Sequence, residues 1–88
     1  MKIIFKNGVE KDTTILAEII RMKSFKNKYP NTKFRANYSR HVDTCSSTLK
    51  IEVSRNLSDW TIFSDLIGVP DDEVQRLLNI CDEVNRVQ

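Results

Sequence analysis

The chain is poor in the residues from which most catalytic and metal sites are built. It has one histidine, His41, and two cysteines, Cys45 and Cys81. One imidazole and two distant thiols do not make a zinc set, and two cysteines do not make a disulfide framework. The two glycines, Gly8 and Gly68, lie in no phosphate-binding loop pattern. Asp71, Asp72 and Glu73 lack the spacing and glycine of a calcium loop. No apolar run approaches the ~20 residues that span a bilayer, and Met1–Phe5 is too short for a signal peptide. No cofactor, metal or membrane partner is expected, and the expected location is the cytoplasm.

What is present is mixed charge and an ordinary apolar fraction, 30% and 40% of residues, the composition of a folded chain. Residues 1–88 are expected to form a single domain. The net charge of +2 hides an asymmetry. Residues 19–42 contain no acid and seven of the fourteen Lys and Arg, whereas residues 57–88 carry seven acids against Arg76 and Arg86. Such a chain has an electric direction that steers charged partners. Four of the seven aromatic residues, Phe25, Tyr29, Phe34 and Tyr38, interleave with the cations of the basic stretch.

Periodicity predicts the elements. Residues 2–6 read as a short strand, Asn7-Gly8 as a turn with positive φ at both positions, and residues 9–11 as a brief antiparallel return. Asp12 or Thr13 caps a helix whose apolar stripe is Ile15, Leu16, Ile19, Ile20, Met22 and Phe25. Arg21 and Lys28 point away from that stripe, while Lys26 falls near its centre. Residues 33–42 and 48–54 alternate and predict an antiparallel hairpin with a dry face and a wet, basic one. Trp60, Phe63, Leu66 and Ile67 predict a further helix ended by Gly68. Pro70 and three acids open a last helix, with Val74, Leu77, Leu78, Cys81 and Val84 as its stripe. The expected fold is α+β: a three-stranded, mostly antiparallel sheet with helices packed on one face, in the order β-α-β-β-α-α.

Phe63-Ser64, Ile67-Gly68-Val69, Val74 and Leu77 resemble a helix-turn-helix in spacing over about twenty residues. The resemblance implies two helices packed at a steep angle. Asp71, Asp72 and Glu73 stand where the reading helix would meet phosphates, and three carboxylates there repel DNA.

His41, Asp43 and Cys45 alternate around the hairpin loop like a base, an orienter and a thiol. Such groups need rigid placement and oxyanion donors, which a polar loop tip does not supply. With no catalytic set, the expectation is a small non-enzymatic interaction protein, an inhibitor or regulator that occupies the surface of another protein. Frequent Ile, Asn and Lys fit an AT-rich phage or mobile-element source, and an anti-CRISPR or host-takeover factor is one concrete form. The expected partner-binding residues are Arg21, Lys28, Lys33, Arg35, Arg40 and His41 at a basic pole, and Asp71, Asp72 and Glu73 at an acidic one. The alternative is a nucleic-acid-binding regulator using the basic helix end and hairpin. A homodimer with paired sheet edges is the third reading.

Overall fold

A computed structural model describes residues 1–86. Residues Lys2–Ile4 (β1) and Glu10–Asp12 (β2) form a short hairpin, followed by the helix Ile15–Lys28 (α1). Strands Lys33–His41 (β3), Ser46–Ser54 (β4) and Thr61–Pro70 (β5) come next, and the helix Asp71–Arg86 (α2) completes the order. The sheet is antiparallel throughout, in the order β2-β1-β5-β4-β3. Both helices lie on one face, and their buried residues share a core with Ile3, Phe34, Leu49, Ile51, Leu66 and Val69.

The α+β class and the central hairpin agree with the expectation from sequence; the strand number and element order do not. The sheet has five strands rather than three, and residues 61–70 form a strand where a helix was expected. The helix-turn-helix reading falls with that helix. The reason lies in two irregularities of β5. Between the pairs Ser47↔Val69 and Leu49↔Leu66, and again between Ile51↔Ser64 and Glu52↔Ile62, β5 contains one residue more than β4. A bulge puts consecutive residues on one face and resets the alternation. Phe63, Leu66 and Val69 therefore all turn toward the helices at a spacing of three, which imitates a helical stripe. Gly68 takes φ +73 at the irregularity between Leu66 and Val69, so its positive φ serves a bulge and not a helix end.

Smaller corrections follow the same logic. Thr14, not Asp12 or Thr13, caps α1, its hydroxyl accepting from the Ala17 amide at 3.1 Å. In the first hairpin only Gly8 has positive φ. The Gly8 amide donates to the Phe5 carbonyl and the Phe5 amide to the Val9 carbonyl, a longer loop than a two-residue turn. On α1 the buried positions are Glu18, Met22 and Lys26, while Leu16 and Ile20, at 64% and 56% exposure, lie outside the core. The core-facing stripe is thus rotated from the one the apolar residues alone suggest.

The two sheet edges differ. β2 is three residues long, reads Glu-Lys-Asp and is fully exposed, the kind of short charged edge that resists further pairing. β3 is nine residues long, and α2 secures its start. The Phe34 amide donates to Asn85 Oδ1 at 2.7 Å, and Asn85 Nδ2 donates to the Phe34 carbonyl at 2.8 Å. The Asn85 amide thereby stands in for one residue of a missing neighbour strand.

Candidate functional site

The expected basic residues divide into those neutralised within the fold and those that are not. Arg21 belongs to the first group. Glu18 is fully buried on the inner side of α1. Its carboxylate accepts from Arg21 Nη1 at 2.8 Å and from Ser64 Oγ at 2.5 Å. The guanidinium lies 4.4 Å from the Phe63 ring centroid, and its Nη2 donates to the Phe63 carbonyl. Instead of pointing away from the core stripe, Arg21 ties α1 to β5.

Arg35 and Arg40 are also paired. On the open face of the sheet Arg35 Nε donates to Glu52 Oε1 at 3.1 Å, and its guanidinium lies 4.3 Å from the Trp60 ring. Asn37 donates to the same Glu52 oxygen. Arg40 forms an ion pair with Asp71 at 3.1 Å, and Ser47 Oγ donates to the other Asp71 oxygen. The two expected poles therefore meet. α2 runs antiparallel to β3, so its acidic start abuts the end of the basic strand. Asp71 is held in the first turn, where the helix dipole favours a carboxylate. Beyond it, Glu73 lies 3.6 Å from Arg76, Asp72 is exposed, and His41 Nε2 is bonded to Thr48 Oγ1.

Lys28 and Lys33 are at the other end of β3, about 27 Å away for nine residues of strand. No carboxylate pairs with either among the described residues. Lys28 Nζ sits 5.5 Å from the Tyr29 ring, and Lys33 Nζ donates to the Asn85 carbonyl at 2.6 Å near the end of α2. Three further cations gather here: Lys23, Lys26 and Arg55. Lys23 and Lys26 belong to the basic stretch and lie toward the C-terminal end of α1, where the helix dipole favours cations. Arg55 was missed, although the hairpin contained the signal. Pairing of Lys33 with Ser54 requires the next residue of β4's exit to lie beside the turn that enters β3. Arg55 stacks on Tyr29 at 4.0 Å from the other side of that turn.

Lys26 is 6% exposed, and its Nζ donates to the Thr32 carbonyl at 2.6 Å. Burial, and secondarily the charge of Lys33, hold its pKa below the ordinary lysine value. Burial likewise pushes the Cys81 thiol up to about 11, with Asp82 adding to the rise, so this cysteine is an inert core residue.

The aromatic side chains are not arranged as a stacking platform. Phe25, Phe34 and Phe63 meet edge to face, with centroids 5.1 to 6.1 Å apart, and Tyr29 leans on Phe25 at 4.9 Å. Tyr38, at 55% exposure, is the outward exception within the basic stretch. His41, Asp43 and Cys45 do not assemble, since His41 bonds Thr48 while the Cys45 thiol faces the Val42 carbonyl at 3.9 Å. Among the described residues no group of three or more His, Cys, Asp or Glu is placed to hold a metal ion, and no helix is long and apolar enough to cross a membrane. Comparison with protein-family models, curated proteins and solved structures finds no match for the chain.

Proposed function

We propose that this chain is a small non-enzymatic interaction protein, an inhibitor or regulator that binds an acidic surface of another protein through the end formed by Lys23, Lys28, Lys33 and Arg55. One observation carries the reading. Arg21, Arg35 and Arg40 are each neutralised by a carboxylate, whereas the cations at the α1 terminus and the adjoining β4–β5 loop have none among the described residues. Unneutralised charge gathered at one end steers encounter and fixes orientation. The Ile-, Asn- and Lys-rich composition supports the phage or mobile-element form of this reading, in which an anti-CRISPR or host-takeover factor blocks a host or defence complex by occupying it.

The experiment is affinity capture from nuclease-treated host lysate, followed by binding measurements on the purified partner. Lys23→Glu with Lys28→Glu, both at exposed positions, should abolish binding while the far-UV spectrum stays native. Asp72→Lys with Glu73→Lys should leave binding intact. If Asp72→Lys with Glu73→Lys loses the partner while Lys23→Glu with Lys28→Glu keeps it, the opposite pole is the contact. Retardation of nucleic acid in a mobility shift that weakens steeply with salt would favour the alternative regulator.

A further inference from the structure

A cavity of about 490 Å³ opens between the turn that enters β3 and the loop that leaves β4. Its walls include Lys26, Lys33 and Arg55, with Asn31 and Asn56 beside them, and among the described residues no acid lines it. That volume suits a small ligand rather than a water or a long peptide. Arg55 is fixed by its stack on Tyr29. The loop is held by Asn56, whose Oδ1 accepts from the Ser58 and Asp59 amides, each at 2.9 Å. The cationic walls are therefore set before anything binds.

Among the described residues no carboxylate forms an ion pair with Lys26, Lys33 or Arg55. Lys26 is almost wholly buried, yet its acceptor is a neutral carbonyl. A buried ammonium without a counter-charge is costly, and Lys33 beside it adds repulsion. An anion with several acceptor oxygens answers this charge, since ammonium groups and an arginine fork are the usual ligands of such a group.

We propose that the Lys26–Lys33–Arg55 cavity binds a phosphate-class oxyanion, either free or as the terminal phosphoryl group of a small molecule. Three cations with no lining acid match a dianion better than a single carboxylate. The site deepens the reading of the basic end as a contact surface, but its occupancy needs no partner protein.

The test is titration of the isolated chain at low ionic strength with orthophosphate, adenosine monophosphate and acetate, followed by calorimetry and by amide chemical shifts. Saturable one-to-one binding of orthophosphate or the monophosphate is expected, stronger than that of acetate, with shifts centred on Lys26, Asn31, Lys33, Arg55 and Asn56. Similar affinity for both phosphates identifies the free anion as sufficient; tighter binding of the monophosphate identifies a carried phosphoryl group. Arg55→Gln, at an exposed position, should weaken binding by about tenfold or more, as loss of a charged hydrogen bond predicts. Lys33→Gln should weaken it as well, and Lys11→Gln on the remote β2 edge should not. Absence of saturation up to about 10 mM, far weaker than a useful site, would overturn the proposal, as would wild-type affinity in folded Arg55→Gln. Partner capture by the Lys23 and Lys28 variants is a separate readout, so either reading can fail alone.

Discussion

At the scale of single residues, two buried charges on α1 have opposite standing. Glu18 is compensated by Arg21 and Ser64. Arg21→Met should therefore leave a buried carboxylate without its cation and cost about 2 to 3 kcal/mol in urea denaturation. That is below the range for a fully buried pair, because Arg21 keeps 34% of its side chain exposed. Glu18→Gln should cost less, since an amide still accepts from Ser64 and leaves no buried charge. Lys26 is the uncompensated case. Its pKa is lower folded than unfolded, so between the folded value and the ordinary 10.5 the unfolded chain holds more protons. Stability contributed by this group consequently rises with pH across that window and is least where Lys26 is fully charged. Denaturation of wild type and Lys26→Met across that range should show the wild type gaining on the variant as pH rises. Neither residue could be ranked from sequence. In the sequence Lys26 is a misfit in an apolar stripe and nothing marks Glu18 as buried, because what packs against or compensates a buried charge lies on another element.

At the scale of elements, β5 and the β3 edge carry the lessons. The spacing of Phe63, Leu66 and Val69 is helical in the sequence and becomes a strand's inner face because two extra residues reset the alternation. Gly68→Ala tests the bulge between Leu66 and Val69. A Cβ there would meet no atom within 4 Å, so the cost is that of φ +73 alone, about 1 kcal/mol. A large steric cost would mean that the bulge is packed differently. Asn85→Ala tests the edge closure. Two backbone groups of the buried Phe34 lose their partners, and a destabilisation of about 1 to 3 kcal/mol is expected from two net hydrogen bonds. Amide exchange should accelerate at Phe34 more than at residues of β4. The β3–β4 hairpin and α2 were legible because each keeps one period over its whole length, with no bulge to disguise it.

At the scale of the whole molecule, charge is distributed by pairing across the fold and not by sequence segment. The acidic start of α2 and the basic end of β3 pair through Arg40 and Asp71, and the cations without an ion pair among the described residues lie toward the opposite end of the strand. Association with an acidic partner should slow as ionic strength rises from about 0.01 to 0.15 M, where screening shortens from about 30 to 8 Å. The change should appear mainly in the association rate measured by stopped flow, because exposed charges act on encounter more than on dissociation. A salt-insensitive rate would place the contact on an apolar surface instead.

The α+β class, the basic stretch of residues 19–42, the presence of the central hairpin and the amphipathic last helix were legible in the sequence, since periodicity and local charge are properties of short segments. Tertiary structure alone decided which cations stay unneutralised and that Arg55 joins Lys26 and Lys33 around one cavity. It also decided that residues 61–70 pair as a strand. Ion pairing, burial and bulges depend on neighbours brought together from distant positions, and no local pattern encodes those neighbours.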